Sequence, residues 1–106
     1  MKKVIDRKVY DTETATELAT WWNGYGGDGG GDFKNCSETL YQSKKGSFFL
    51  HGEGGPMSSY ARPCGNGLSG GSDIKPFTKE EAIRWLERRE LVYELVTIFG
   101  EDIEEA

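Results

Sequence analysis

The sequence predicts an α+β domain: an antiparallel sheet of about four strands, with C-terminal helices packed on one face. Three observations lead there. Two β-prone runs, Thr39-Leu40-Tyr41-Gln42 and Ser47-Phe48-Phe49-Leu50, flank the turn sequence Ser43-Lys44-Lys45-Gly46. Thr78-Lys79-Glu80-Glu81 forms a capping box ahead of an amphipathic run. The strand-prone pieces come first and the helical ones last, which is the order of an α+β domain and not of alternating βαβ units.

The elements follow in chain order. Val4-Ile5 and Val9-Tyr10 flank Asp6-Arg7-Lys8, which predicts a small hairpin or one bent strand. Residues 11–14 are a turn, because Asp and Thr compete for local backbone hydrogen bonds. Residues 15–22 are Thr- and Trp-rich in their second half and predict a strand, although Asp11 as an N-cap would favour a helix. Residues 24–31, Gly-Tyr-Gly-Gly-Asp-Gly-Gly-Gly, predict a loop, since glycine loses more backbone entropy on ordering than any other residue. The run does not match GxxxxGK[ST] and lacks a βαβ context, which excludes a nucleotide cradle.

A type I turn with Gly46 left-handed would close residues 39–50 into a hairpin, with Leu40 facing Leu50 or Tyr41 facing Phe49. Beyond Leu50 the sequence His51-Gly52-Glu53-Gly54-Gly55-Pro56 opens a Gly-rich segment read as irregular as far as Gly71. Residues 73–77 lead into the helix capped by Thr78. Ala82, Ile83, Trp85 and Leu86 form its apolar face, and Arg84, Arg88 and Arg89 fall largely outside it. Residues 91–99 read as a second helix ending at Gly100, followed by an acidic tail at 101–106. The expected contacts to the sheet are Ile83, Trp85, Leu86, Leu95 and Phe99. The apolar piece 91–99 either completes the core or forms a dimer interface, so monomer and homodimer both stay open.

Bulk properties narrow the function. With 106 residues, the expectation is a single domain spanning 1–106. The 12% aromatic content is too rich for a disordered chain. A net charge of −5 argues against direct nucleic-acid binding, leaving only a local basic patch as a route to it. Two cysteines, Cys36 and Cys64, and one histidine, His51, cannot readily furnish a tetrahedral zinc site, and no cofactor motif is present. No apolar run approaches the ~20 residues of a membrane span. Met1-Lys2-Lys3-Val4-Ile5-Asp6 has a charged start without an apolar signal region. These features predict a protein of a reducing cytoplasm with free thiols, although a Cys36–Cys64 disulfide is possible by count alone.

Several clusters carry candidate chemistry. His51 and Glu53 are two apart, so on one strand they would share a face, with Ser58, Ser59 or Cys64 nearby as nucleophiles for a small hydrolase or nuclease. Trp21, Trp22 and Tyr25 precede or enter the Gly-rich loop. On a strand one Trp would be buried and the other exposed, and Trp22 and Tyr25 are candidates for contact with a partner. Lys2, Lys3, Arg7 and Lys8 would form a basic patch with Lys44 and Lys45 only if the two ends converge; the plainer reading is solvated lysine. From residue 90 onward the charges are Glu90, Glu94, Glu101, Asp102, Glu104 and Glu105, with no Lys or Arg. Charge this dense steers association with a basic groove, or it simply aids solubility.

One ordered set of segments is familiar: Lys8-Val9-Tyr10-Asp11-Thr12-Glu13-Thr14-Ala15; Glu38-Thr39-Leu40-Tyr41-Gln42-Ser43-Lys44-Lys45-Gly46; Phe49-Leu50-His51-Gly52-Glu53-Gly54-Gly55-Pro56-Met57-Ser58-Ser59-Tyr60-Ala61; and Thr78-Lys79-Glu80-Glu81-Ala82-Ile83-Arg84-Trp85-Leu86-Glu87. The chain resembles a family of small proteins carried on plasmids, phages and conjugative elements of Gram-positive bacteria. The resemblance covers most of the chain apart from the Gly-rich insertion at 24–31. Some proteins of this kind are anti-CRISPR inhibitors of type II-A Cas9. The resemblance therefore implies a non-enzymatic protein that binds Cas9 or its guide-RNA complex and interferes with guide assembly or DNA targeting. It implies no catalytic residue and no cofactor. The rivals are a nucleic-acid-binding accessory protein using Lys2, Lys3, Lys8, Lys44 and Lys45, and the hydrolase built on His51 and Glu53.

Overall fold

A computed structural model of the protein describes residues 1–24 and 31–106. The chain opens with an antiparallel hairpin, β1 (Lys2–Ile5) and β2 (Lys8–Asp11). Its turn residues Asp6 and Arg7 both have positive φ, 51° and 66°. That pair is the I′-like geometry that matches strand twist, which decides for a hairpin over a bent strand. Strands β3 (Thr16–Trp22), β4 (Cys36–Gln42) and β5 (Phe48–Gly54) then form a continuous antiparallel meander. A small hairpin, β6 (Arg62–Cys64) with β7 (Gly67–Ser69), precedes β8 (Gly71–Phe77). The main sheet has the order β3-β4-β5-β8. Helices α1 (Lys79–Arg88) and α2 (Val92–Phe99) complete the fold, so the α+β class holds.

The central hairpin follows its sequence. Both cross-strand pairs form, Leu40 opposite Leu50 and Tyr41 opposite Phe49, on opposite faces. Gly46 has φ 94° and donates to the Ser43 carbonyl at 2.9 Å, while the Ser43 amide donates to Ser47 at 2.8 Å. Thr78 caps α1 as expected: its Oγ1 accepts from the Glu81 amide at 3.1 Å, and the Glu81 carboxylate accepts from the Thr78 amide at 2.9 Å.

Three expectations are corrected. The region from His51 to Gly71 is not one irregular loop: β5 runs on through Gly54, and residues 62–69 pair as β6 and β7. Residues 73–77 are strand, not lead-in. Pro76 obscures this, but β8 lies at the sheet edge, where a missing N–H is tolerated. Arg89 does not point outward. It turns back beneath the sheet, with its guanidinium carbon 3.5 Å from the Trp21 ring centroid.

The sheet separates two apolar clusters. On the helix side Leu40, Leu50 and Ala19 meet Ala82, Ile83, Trp85, Leu86, Leu95 and Phe99, including all five residues expected to hold the helices. On the other side the β1–β2 hairpin covers Phe49 and Ile74 with Tyr10, whose ring meets Phe49 edge-on at 5.4 Å.

Glu38, only 7% exposed, lies at the centre of the helix side. Its Oε1 accepts from Trp85 Nε1 at 2.9 Å and from Arg89 Nη2 at 2.6 Å, and its Oε2 accepts from the Tyr60 hydroxyl at 2.5 Å. Burial alone would raise this carboxyl, but the hydrogen bonds from Tyr60, Trp85 and Arg89 outweigh it and hold Glu38 below the ordinary glutamate value. Burial, then the bond to Glu38, pushes the Tyr60 phenol far above its usual value. Gly52 lies opposite Glu38 in the register, and a Cβ there would collide with the Tyr60 ring.

Glu38→Ala is expected to cost about 3 kcal/mol in urea unfolding, because it strands the Arg89 charge. The carboxyl is depressed in the native state, so its stabilisation is complete above the unfolded value of about 4.3 and fades as pH falls through the lower folded value. Glu38→Gln should therefore flatten the acid limb of a stability–pH curve, and an unchanged limb would refute the assignment. Gly52→Ala should cost about 1–3 kcal/mol in the native background and markedly less in Tyr60→Ala, a coupling that a double-mutant cycle reads directly.

Candidate functional site

Helix α2 is apolar on two sides. Leu95 and Phe99 are buried, and Leu91 and Ile98 pack against the same cluster. The opposite side leaves Val92 67%, Tyr93 79% and Val96 51% exposed. Their spacing of one and four residues puts them on one helical face. Thus the 91–99 piece completes the core with one side and presents an unpartnered apolar strip with the other. The sequence contained the signal, since an eight-residue helix with apolar residues all round cannot bury every one of them against a single layer.

Carboxylates precede, interrupt and follow α2 along the chain. Glu90 sits at the α1–α2 junction with φ 59° and is exposed, and Glu94 lies half-buried in the first turn of α2. Glu101 and Asp102 occupy a three-ten turn directly after α2 (Gly100–Asp102), and exposed Glu104 and Glu105 follow. Ile103 packs against the core and ties this tail to the helix end. Asp102 is paired with Lys79 at 2.9 Å. Acidic residues at a helix C-terminus face the negative end of the macrodipole, so Glu101 is placed against the helix's own electrostatics.

Trp22 is the exposed tryptophan of the pair, at 55%, with Nε1 donating to Asn35 Oδ1 at 2.7 Å. Trp21 packs on the helix side, so Trp22 faces away from the helices, and the fold does not gather it with the carboxylates. Tyr25 lies outside the described residues, as does most of the Gly-rich run.

His51 and Glu53 do share a face of β5. The candidate nucleophile Ser58 lies on the other one: Ser58 sits where the Gly54 Cβ would be, and Tyr60 where the Gly52 Cβ would be. The Ser58 hydroxyl donates to the Gly55 carbonyl at 2.7 Å and accepts from the Tyr60 amide, a loop-shaping role. Burial holds His51 below its ordinary value against the nearby Glu53 charge, so it is neutral at pH 7. Cys36 is buried and Cys64 is exposed, both as free thiols, and burial pushes the Cys36 thiol up.

Among the described residues no cluster of three or more His, Cys, Asp and Glu is placed to hold a metal ion, and no helix is long and apolar enough to cross a membrane. No family model, no curated protein and no solved structure matches the chain.

Because Glu101 opposes the α2 dipole, Glu101→Gln should stabilise the protein by about 0.3–1 kcal/mol in thermal or urea unfolding, and the gain should shrink with added salt. A loss of stability would mean that the carboxylate serves the fold.

Proposed function

We propose that the protein is an anti-CRISPR inhibitor that binds type II-A Cas9 through the outer face of α2 and its neighbouring carboxylates. The sequence resemblance supplies the target, and the exposed Val92–Tyr93–Val96 strip, set in a stretch from residue 90 onward that carries six carboxylates and no Lys or Arg, supplies the surface. An aromatic and aliphatic centre with a charged rim is the usual anatomy of a protein-binding patch. An RNA-guided nuclease offers a complementary target, a basic channel that holds nucleic-acid backbone.

Each part of the surface has its own task. Tyr93 is the anchor, a large ring with a polar tip that loses little rotamer entropy when it is fixed. Glu90, Glu94, Glu101, Glu104 and Glu105 stand in for phosphates and speed encounter, so their contribution weakens with salt. The same carboxylates disfavour a two-fold dimer through this face, because like charges would meet across the axis. The protein then acts as a monomeric competitor for the channel, binding the nuclease best before the guide RNA is loaded.

Pull-down of purified Cas9, with and without guide RNA and at two salt concentrations, tests this reading. Capture of the guide-free form, displaced by guide RNA, is expected. Tyr93→Ala should weaken capture about 30-fold, the effect of a hot spot of about 2 kcal/mol. Replacing all six carboxylates by their amides should abolish inhibition at moderate salt. If inhibition survives both changes, this face is not the contact.

A further inference from the structure

The N-terminal basic cluster and the basic tip of the central hairpin converge. The β1–β2 hairpin and the tip of the β4–β5 hairpin enclose an open cleft of about 660 Å³, lined by Lys2, Arg7, Lys8, Lys44 and Lys45, with Asp11 as its one carboxylate among the described residues. Lys3 is not part of it and pairs instead with Asp73 at 2.5 Å. Lys2 lies 3.8 Å from Asp11. Among the described residues Arg7, Lys8, Lys44 and Lys45 have no ion pair. All four are exposed, two on each hairpin. Drawing unpaired like charges around one concavity raises the local potential and destabilises the apo protein, and an anion seated there relieves the repulsion.

The cleft's form indicates which anion. It lies on the side of the sheet away from the helices, since Tyr10 is both part of its floor and packed on Phe49. Thr14, Ser43 and Ser47 add hydroxyl donors along it. Its cations are divided between two hairpins, an arrangement that suits a chain of charges better than one phosphate. Among the described residues Tyr10 is the only ring in the lining, and it is buried against Phe49 and offers no surface for a base. We propose that this cleft binds the phosphate backbone of a single nucleic-acid strand, without reading its sequence. The site is separate from the α2 face and does not depend on the Cas9 reading.

Fluorescence anisotropy with a labelled RNA of about 20 nucleotides, long enough to cross the cleft, tests this without any nuclease present. Binding should appear at about 50 mM salt and fade by about 200 mM. The log–log slope should be near −3.5 if all five cations engage, at ~0.7 per contact on a single strand. Lys44→Gln with Lys45→Gln changes two exposed turn residues and should reduce that slope by about 1.4, equally for RNAs of different sequence. Lys8→Gln provides an independent variant on the other hairpin and should reduce it by about 0.7. Tyr93→Ala should change nothing. No binding at low salt would overturn the proposal, as would a slope indifferent to both sets of variants. Displacement of the RNA by an equal phosphate concentration of inorganic pyrophosphate would also overturn it, by showing a site for small phosphates and not for a strand.

Discussion

The carboxylate of Glu38 sets the terms for the rest of the helix side. A charge at 7% exposure is tolerated only with its lone pairs occupied, and the groups that occupy them come from three separate stretches of chain. Tyr60 brings in the loop after β5, Trp85 the middle of α1 and Arg89 its end. To admit Tyr60, position 52 must be glycine; to reach Glu38, Arg89 must fold back over Trp21. Among the described residues no buried side-chain polar atom is left without a partner. A hub of this kind specifies one arrangement, because any slip of α1 or of the loop leaves a buried charge exposed to an apolar neighbour.

From that constraint the outward face of α2 follows. Arg89 fixes where α1 stops, and Glu90, with φ 59°, reverses the chain into α2. With Leu95 and Phe99 committed to the core, Val92, Tyr93 and Val96 have nowhere to go but outward. The sheet then acts as a divider. An apolar strip with carboxylates before, within and after it along the chain lies on the helix side, and a cleft lined by cations lies on the other. A net charge of −5 describes neither surface, since it averages a strongly acidic region with a basic one.

Local signals in the sequence were the legible ones. The hairpin at 39–50 was specified by its turn and by β-prone runs of matched length, and the capping box at Thr78 by four consecutive residues. The alternation rule turned one of Trp21 and Trp22 inward without saying which, and the fold makes Trp21 the partly buried one. What escaped depended on distant partners. Strand β8 reads as loop because Pro76 and the neighbouring Gly and Ser are poor strand formers, and only its place at the edge beside β5 makes it a strand. Glu38 carries a faint mark, a charge at an inward position between Cys36 and Leu40, but Tyr60 and Arg89 could not be matched to it without the fold. The basic cleft was conditional on two hairpins meeting, which no local pattern decides. The outward strip on α2 was half visible, as an apolar run with two possible uses.

The claim on which the functional account turns is that the outer face of α2 is the surface that meets the nuclease. Hydrogen–deuterium exchange of the protein, free and with guide-free Cas9, addresses this residue by residue. If the outer face of α2 is the contact, exchange slows across residues 90–102 and the open sheet face around His51 and Glu53 is unchanged. Unchanged exchange at 90–102, with protection elsewhere or nowhere, would contradict it.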